Sequence, residues 1–511
     1  MDILEQIGWM AEKFGERTAI KSSQESLTYA ELERYSDGLA AWIHRRYGDS
    51  KIPVIVYGHK SPWMIVCFLA CVKAGKAYCP QDISIPKVRV FDTVRSVEPE
   101  LVFVVEGELE PQIGKCLGLK EIKKIAENTE EKSCKEWWVK GDDTYYIIFT
   151  SGSTGKPKGV QITADCLNHY LDWSVTLGGS REEKEGAYFL NQAPFSFDLS
   201  VMDLYTSLAS GGTLFPMEKE LQSDYGRMFA FLEQADINFW VSTPSFVDMC
   251  LSDRKFNQAL LPKLQAFLFC GEVLTTSTVW NLMERFPDAK IINTYGPTES
   301  TVAVSDVEIT KKLLQDISAA GGTLPVGCEK KNTFLEIWDE DGKPLPDGKQ
   351  GEIIIIGDTV STGYYGRPEL TEKAFFTCER KGKNYRAYRT GDAGYKKDGQ
   401  LYYNGRIDLQ VKLHGYRIEI EDIENNMVRL PQIRQAVVVP NIREGKVKSL
   451  TAFVTGDMGS QTPLEFSQKV KQDLKELIPT YMIPKKIRHI DSIPMNPHGK
   501  ADRKYLGGLV G

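Results

Sequence analysis

Residues 145–160 read Tyr145-Tyr-Ile-Ile-Phe149 and then Thr150-Ser-Gly-Ser-Thr-Gly-Lys-Pro-Lys-Gly-Val160. The unbroken apolar and aromatic run predicts a buried strand, and the loop after it consists of glycines, hydroxyls and two lysines. Such a loop offers backbone N–H groups, Ser/Thr hydroxyls and positive charge to a polyphosphate. It is not a Walker loop, which needs a hydroxyl residue directly after its lysine to hold Mg2+. Here Pro157 follows Lys156 and brings neither a hydroxyl nor an N–H. Outward from this stretch, short β-branched runs such as Pro53-Val-Ile-Val-Tyr57, Leu101-Val-Phe-Val-Val105 and Ile237-Asn-Phe-Trp-Val241 alternate with helix-like apolar stretches. That alternation predicts layered α/β structure through most of the first 400 residues.

From Thr333 the texture becomes β-rich. Phe334-Leu-Glu-Ile-Trp338, turn signals at Asp341-Gly342 and Pro346-Asp-Gly348, and Gly351-Glu-Ile-Ile-Ile-Ile-Gly357 predict a hairpin belonging to a small barrel-like or distorted sheet. Beyond residues 405–409 the pattern is compact α+β, with helices expected over Glu419 to Leu430 and Pro463 to Leu477, and strands over Ala436 to Val439 and Leu450 to Val454. The expected division is 1–404 for the large part, 405–409 for a short hinge and 410–511 for a small, mobile C-terminal domain.

The 511 residues exceed one ordinary core, and 42% hydrophobic with 26% charged residues is the composition of a soluble globular protein. A net charge of −6 gives no reason to expect a nucleic-acid partner. The N-terminus Met1-Asp-Ile-Leu-Glu5 is acidic where an export signal needs positive charge. The longest apolar run, Trp63 to Val72, stops at Lys73, about half the length of a membrane span, and reads as a buried helix. The ten cysteines include no Cys-x-x-Cys pair and the six histidines show no ligand spacing, so no zinc site is expected. Reduced, buried thiols in a cytoplasmic enzyme are the expectation.

Further strings accompany the loop: Asn293-Thr-Tyr-Gly-Pro-Thr-Glu299, Tyr388-Arg-Thr-Gly-Asp392, Gly405-Arg-Ile-Asp408, Lys412-Leu-His-Gly-Tyr-Arg-Ile-Glu419, Tyr481-Met-Ile-Pro484 and Asn496-Pro-His-Gly-Lys-Ala-Asp-Arg503. With Leu27-Thr-Tyr-Ala-Glu-Leu32 and Val72-Lys-Ala-Gly-Lys-Ala-Tyr-Cys-Pro80, this ordered set resembles the ANL superfamily of acyl- and aminoacyl-adenylate-forming enzymes over nearly the whole chain. Within it the chain looks most like the amino-acid-adenylating branch, and there like the enzymes that load D-alanine onto a carrier protein. Phe197-Asp-Leu-Ser200 places Asp198 where that branch sets a carboxylate against the substrate ammonium, and a buried carboxylate needs such a partner. Read alone, Asp198 would be a helix N-cap. Cys270, in Phe269-Cys-Gly-Glu272, stands where the branch commonly has a smaller residue; it fills volume that a larger substrate side chain would need, and Val302 is a further wall.

The resemblance implies two half-reactions. ATP and the amino acid first give an aminoacyl-AMP and pyrophosphate; the aminoacyl group then passes to the phosphopantetheine thiol of a D-alanyl carrier protein, serving teichoic acid D-alanylation. Two anions meet in the first step, so positive charge must cancel their repulsion. Lys500 is the implied catalytic residue, bridging substrate and nucleotide within the Asn496 to Arg503 string. Ser153, Thr154 and Lys156 would hold the β and γ phosphates. Tyr295 would stack on adenine and Asn293 bond its edge, Gly296 let the backbone approach the nucleotide closely, with Thr294 and Pro297 also counted among the nucleotide-binding residues, Thr298 reach the phosphates and Glu299 hold Mg2+. Asp392 would accept from the ribose hydroxyls, flanked by Tyr403 and Arg406. Asp408 is the implied hinge, about which rotation exchanges Lys500 for the Lys412–Glu419 segment with Gly415. An acyl-CoA synthetase is the nearest rival, which Asp198 disfavours. A non-catalytic nucleotide-binding regulator is made less attractive by the lysine string, and a peptide-synthetase module by the absence of a following carrier domain.

Overall fold

A computed structural model describes residues 2–110, 114–128, 131–152, 157–222, 224–443, 445–495 and 501–510. Ser153, Thr154, Lys156 and Lys500 lie outside the described residues, as do Asn496 and Gly499. Among the described residues the strands form five sheets.

Two large sheets carry the first three hundred residues. One has six strands in the order Lys115–Gly118, Leu101–Val104, Val54–Gly58, Tyr78–Asp82, Thr144–Thr150, Lys158–Thr163. Its neighbours are parallel until the last pair, where the strand predicted from 145–149 and the strand that follows the phosphate-type loop in sequence pair antiparallel, Ile148 opposite Val160. The other has nine strands, and Tyr188–Asn191, Ile237–Ser242, Ala266–Phe269 and Lys290–Tyr295 run parallel at its centre. Parallel strands covered on both faces read as continuous apolar runs, which is why they were visible in the sequence.

The two sheets share one core. Between them lie Pro62–Lys73 and Leu199–Ser210, in each of which all twelve residues are buried. The first is the buried helix expected from Trp63 to Val72; Ser61 caps it through Trp63 N–H and Pro62 opens it, suiting the first turn. Lys73, at its end, is neutralised by Glu33 at 2.9 Å and Asp37 at 3.1 Å. Among the described residues no helix is long and apolar enough to cross a membrane.

The β-rich stretch forms a five-stranded antiparallel sheet from Thr333–Trp338 to Gln400–Arg406, with Phe334 opposite Ile356. The last hundred residues carry a three-stranded sheet, Ile433–Arg443, Lys446–Gly456 and Lys486–His489, covered by Ile420–Met427 and Pro463–Leu474 around their own apolar cluster. Gln410–Leu413 and Tyr416–Glu419 make a separate hairpin that projects toward the large sheets. The cysteine expectation needs correction. All ten are free thiols, but Cys134 and Cys328 are exposed, and Cys116 and Cys378 are half-buried at the margins of small apolar clusters.

Candidate active site

The C-terminal ends of the central parallel strands and the loops after them converge with the Gln410–Glu419 hairpin. Open parallel sheets bind ligands at that edge. A cavity of about 420 Å3 lies there, lined among others by Asn293, Tyr295, Gly296, Tyr403, Arg406, Asp408 and Lys412. Its size is that of a small-ligand site, typically about 300–1,000 Å3.

Asp392 stands behind two of these lining residues, Tyr295 and Arg406, and itself lines the smaller cavity deeper in. It is 1% exposed, accepts from the Tyr295 hydroxyl at 2.6 Å on one oxygen, and from Arg406 Nη1 at 2.8 Å on the other. Its remaining lone pairs can still accept from a diol. Asn293 donates to the Pro325 carbonyl at 2.8 Å, which fixes its amide plane, and Tyr403 tilts against Tyr295 with ring centroids 6.0 Å apart. Lys412 Nζ stands 5.9 Å from the Tyr295 ring centroid. Thr294 also lines the cavity, and its hydroxyl donates to the Phe269 carbonyl of the neighbouring strand at 2.8 Å. A side chain at Gly296 would put its Cβ 2.5 Å from the Ala303 Cα, so the bare backbone is a steric requirement.

Deeper in, a cavity of about 30 Å3 is lined by Phe197, Asp198, Cys270, Pro297, Thr298, Val302 and Gly415, among others. Asp198 occupies the N-cap position of Leu199–Ser210 yet makes no capping hydrogen bond. Its backbone is helical, φ −61° and ψ −26°, so its carboxylate leaves the helix end and faces the pocket instead. Burial raises its carboxyl to about 6, against the pull of the Thr298 hydroxyl and the Lys412 ammonium. Cys270 Sγ lies 3.6 Å from the Val302 carbonyl. Thr301 and Val302 both have left-handed backbones, φ 61° and 68°; for a β-branched residue this is strain held by its surroundings, and such strain gathers at functional sites.

Glu299 is fully buried and forms the third feature. Burial alone would raise its carboxyl, but Arg417, Lys158 and the Tyr364 hydroxyl outweigh it and hold it at about 2. Arg417 Nη1 approaches Oε2 at 2.5 Å and the Tyr364 hydroxyl donates to Oε1 at 2.8 Å. Lys158 Nζ is 4.0 Å from Glu299 and 3.9 Å from Glu419. Burial and the nearby Arg417 lower the Lys158 ammonium to about 8 despite those carboxylates. Among the described residues no group of three or more His, Cys, Asp or Glu could enclose a metal ion. One buried, ionised carboxylate beside a phosphate-type loop nevertheless fits Mg2+, which usually takes one or two carboxylates and completes its shell from phosphate and water.

The hairpin is seated by contacts that the sequence did not disclose. Ser151 Oγ donates to the Arg417 carbonyl at 2.8 Å and accepts from the Glu419 N–H at 3.2 Å. Gly415, φ +83°, fits against Thr243 and Phe197 so closely that a Cβ would lie 2.2 Å from Thr243 Cγ2. Tyr416 stacks on Tyr481 with centroids 3.6 Å apart. Behind it Arg89 meets Asp422 at 2.6 Å, and Lys446 meets Asp248 at 3.0 Å and Glu272 at 3.6 Å. Asp408, next to the hairpin, pairs with Arg406 and accepts from the Gln410 N–H at 3.0 Å. Lys158, Arg417 and Glu419 stand within conspicuous strings, but nothing in those strings sets their side chains apart from the neighbouring polar residues. Tyr364 lies outside those strings.

The chain belongs to the AMP-binding enzyme family, whose profile matches residues 8–365, with the AMP-binding enzyme C-terminal domain matching 422–500. It is an adenylate-forming ligase that uses ATP. It is 46% identical over 510 residues to the D-alanine--D-alanyl carrier protein ligase of Bacillus anthracis (strain CDC 684 / NRRL 3495), covering 99% of each chain. It is equally similar, 46% over 511 residues and 99% of each chain, to the protein of that name from Bacillus mycoides (strain KBAB4). Among solved structures, holo-PA1221, a protein containing adenylation and PCP domains bound to a vinylsulfonamide inhibitor, superposes with a TM-score of 0.83 at 25% identity, covering 99% of this chain and 84% of that one. The amide bond synthetase McbA from Marinactinospora thermotolerans shares the fold, with a TM-score of 0.84 at 20% identity over 100% of both chains.

Proposed function

We propose that this ligase joins D-alanine to AMP with release of pyrophosphate, then transfers the D-alanyl group to the phosphopantetheine thiol of a carrier protein in the cytoplasm. The observation that carries the reading is Asp198: a buried carboxylate, excused from helix capping, facing a cavity of about 30 Å3 beside Cys270 and Val302. An ammonium supplies the counter-charge that such a burial needs. Cys270 and Val302 narrow the space beside Asp198, which favours a small side chain such as methyl over a larger one. The 46% identity to proteins named as D-alanyl carrier protein ligases supports the same choice.

In this reading Tyr295 presents its ring to adenine with Asn293 at the edge, Asp392 receives the ribose diol, and Thr298 is placed between Asp198 and the phosphates. Ser153, Thr154, Lys156 and Lys158 cradle the departing pyrophosphate. Mg2+, held through Glu299, would neutralise phosphate charge during that departure. Lys500 approaches the substrate carboxylate and α-phosphate for the first step. Residues 405–409, with Asp408 at their centre, then act as the hinge that brings in the Gln410–Glu419 hairpin for thiol transfer, and the seated hairpin belongs to that second arrangement.

Mass spectrometry of the adenylates formed from ATP with D-alanine, L-alanine, glycine, serine and acetate tests this. D-alanyl-AMP should dominate. Acetyl-AMP at equal or higher yield would refute the amino-acid reading and favour an acyl-CoA synthetase.

A further inference from the structure

A second carboxylate, Asp203, lies in the helix that Asp198 begins, about one and a half turns further along. It is 0% exposed, and its Oδ1 accepts from the Asn191 amide at 2.6 Å. Asn191, also fully buried, ends the strand Tyr188–Asn191. The carbonyl of the same side chain accepts from Lys60 Nζ, which donates as well to the Ala193 carbonyl and stands 4.7 Å from the Phe195 ring centroid. Lys60 is buried too and comes from the other large sheet, just beyond its strand Val54–Gly58. Polar groups set this deep cost stability. Burial lowers the Lys60 ammonium to about 7 and pushes the Asp203 carboxyl well up, in each case against the attraction of the other. Apolar side chains of similar volume would join the two sheets without that cost. Apolar contact has no direction, however, whereas a hydrogen-bonded amide fixes the groups at both its ends. Here those ends bracket Asp198. Asn191 and Ala193 lie before it and Asp203, twelve positions after Asn191, lies beyond it, so the turn that delivers Asp198 is stapled on both sides. The fully buried Tyr170 hydroxyl feels Cys270, Asp203 and Asp198 together, which sets the relay against the wall of the amino-acid pocket.

We propose that Asp203 is a positioning residue for amino-acid binding: through Asn191 and Lys60 it fixes the helix start and the turn before it, and so the line along which Asp198 meets the substrate ammonium. The polar relay then serves aim rather than stability. This inference rests on the proposed role of Asp198, and its test separates the two.

ATP–pyrophosphate exchange on the full chain gives KM for D-alanine and KM for ATP separately. Asp203→Leu removes the acceptor while keeping a good helix former, so KM for D-alanine should rise roughly tenfold or more while KM for ATP stays within about twofold. Asp203→Asn keeps an oxygen opposite the Asn191 amide and should restore most of the affinity. Where the ammonium contact is already gone, as in Asp198→Asn, adding Asp203→Leu should raise KM for D-alanine no further. The triple variant Lys60→Met, Asn191→Leu, Asp203→Leu removes every polar side chain of the relay. It should unfold at no lower denaturant concentration than Asp203→Leu alone, yet keep the raised KM for D-alanine. Equal rises in both KM values, recovery of D-alanine affinity in the triple variant, or a further rise on the Asp198→Asn background overturns the proposal. So does an unchanged KM in Asp203→Leu where Asp198→Asn raises it. If Asp198→Asn itself leaves KM for D-alanine unchanged, the reading of Asp198 falls together with the relay.

Discussion

Replacing Arg89 by Met should separate the two half-reactions. The pair Arg89–Asp422, 2.6 Å apart with side chains 7% and 1% exposed, joins Lys87–Val97 of the large part to Ile420–Met427 of the C-terminal unit. Arg89 Nε also donates to the Leu477 carbonyl at 3.1 Å. Methionine keeps the length of the stem but removes the guanidinium, leaving Asp422 with the Asn426 amide at 2.9 Å. Removing one partner of a buried pair costs about 3–5 kcal/mol. Burial already raises the Asp422 carboxyl against the pull of Arg89, so protonation relieves part of that cost, and about 3 kcal/mol is the working figure. That cost falls only on the arrangement in which the two helices meet. At about 1.4 kcal/mol per factor of ten, the population of the seated arrangement drops roughly 100-fold. The assays are transfer of labelled D-alanine to a phosphopantetheinylated carrier and ATP–pyrophosphate exchange on the same preparation. Transfer should fall by one to two orders of magnitude while exchange stays within about threefold of the parent. The double variant Arg89→Met with Asp422→Leu, which removes both charges, should recover part of the transfer. Equal loss in both assays, or undiminished transfer, would refute the assignment of this contact to one arrangement.

Asp198 must be ionised to receive an ammonium, and with its carboxyl raised to about 6, the KM for D-alanine should climb as pH falls through that value, while Asp198→Asn should bind poorly at every pH. The sign for stability is the opposite: the folded chain holds this proton where the unfolded chain has lost it, so Asp198 lowers stability as pH rises from about 4 to 6, which denaturant titrations of parent and Asp198→Asn would show. Gly415→Ala places a Cβ 2.2 Å from Thr243 Cγ2 at a left-handed backbone, so carrier loading should collapse while D-alanyl-AMP still accumulates, as rapid-quench measurements would show. Lys60, buried and bonded to Asn191 and the Ala193 carbonyl, anchors the turn that leads to Asp198; Lys60→Met leaves those buried acceptors unpaired and should cost about 1–3 kcal/mol in chemical denaturation and raise KM for D-alanine more than KM for ATP.

The parts of this molecule legible in its sequence are those decided by local pattern. Tyr145 to Phe149, Leu101 to Val105 and Ile237 to Val241 announced strands because a strand buried on both faces leaves an uninterrupted apolar record. Trp63 to Val72 announced its helix for the same reason. Pairing was not legible: Thr18–Lys21 lies beside Thr213–Pro216, with Ile20 opposite Leu214, and nothing in either short run specifies a neighbour so distant along the chain. The same division runs through the candidate site. Asp198, Tyr295, Glu299 and Asp392 stand in dense strings where composition departs from what a core or a surface would use. Arg89 and Asp422 stand in ordinary amphipathic helices, each looking like a solvated charge until the fold buries it against the other. Arg417 falls between the two cases. Its string was conspicuous, yet its partner Glu299 lies 118 residues away along the chain, and nothing in either string specifies the other. Such pairs join stretches far apart along the chain, and only the folded coordinates expose them.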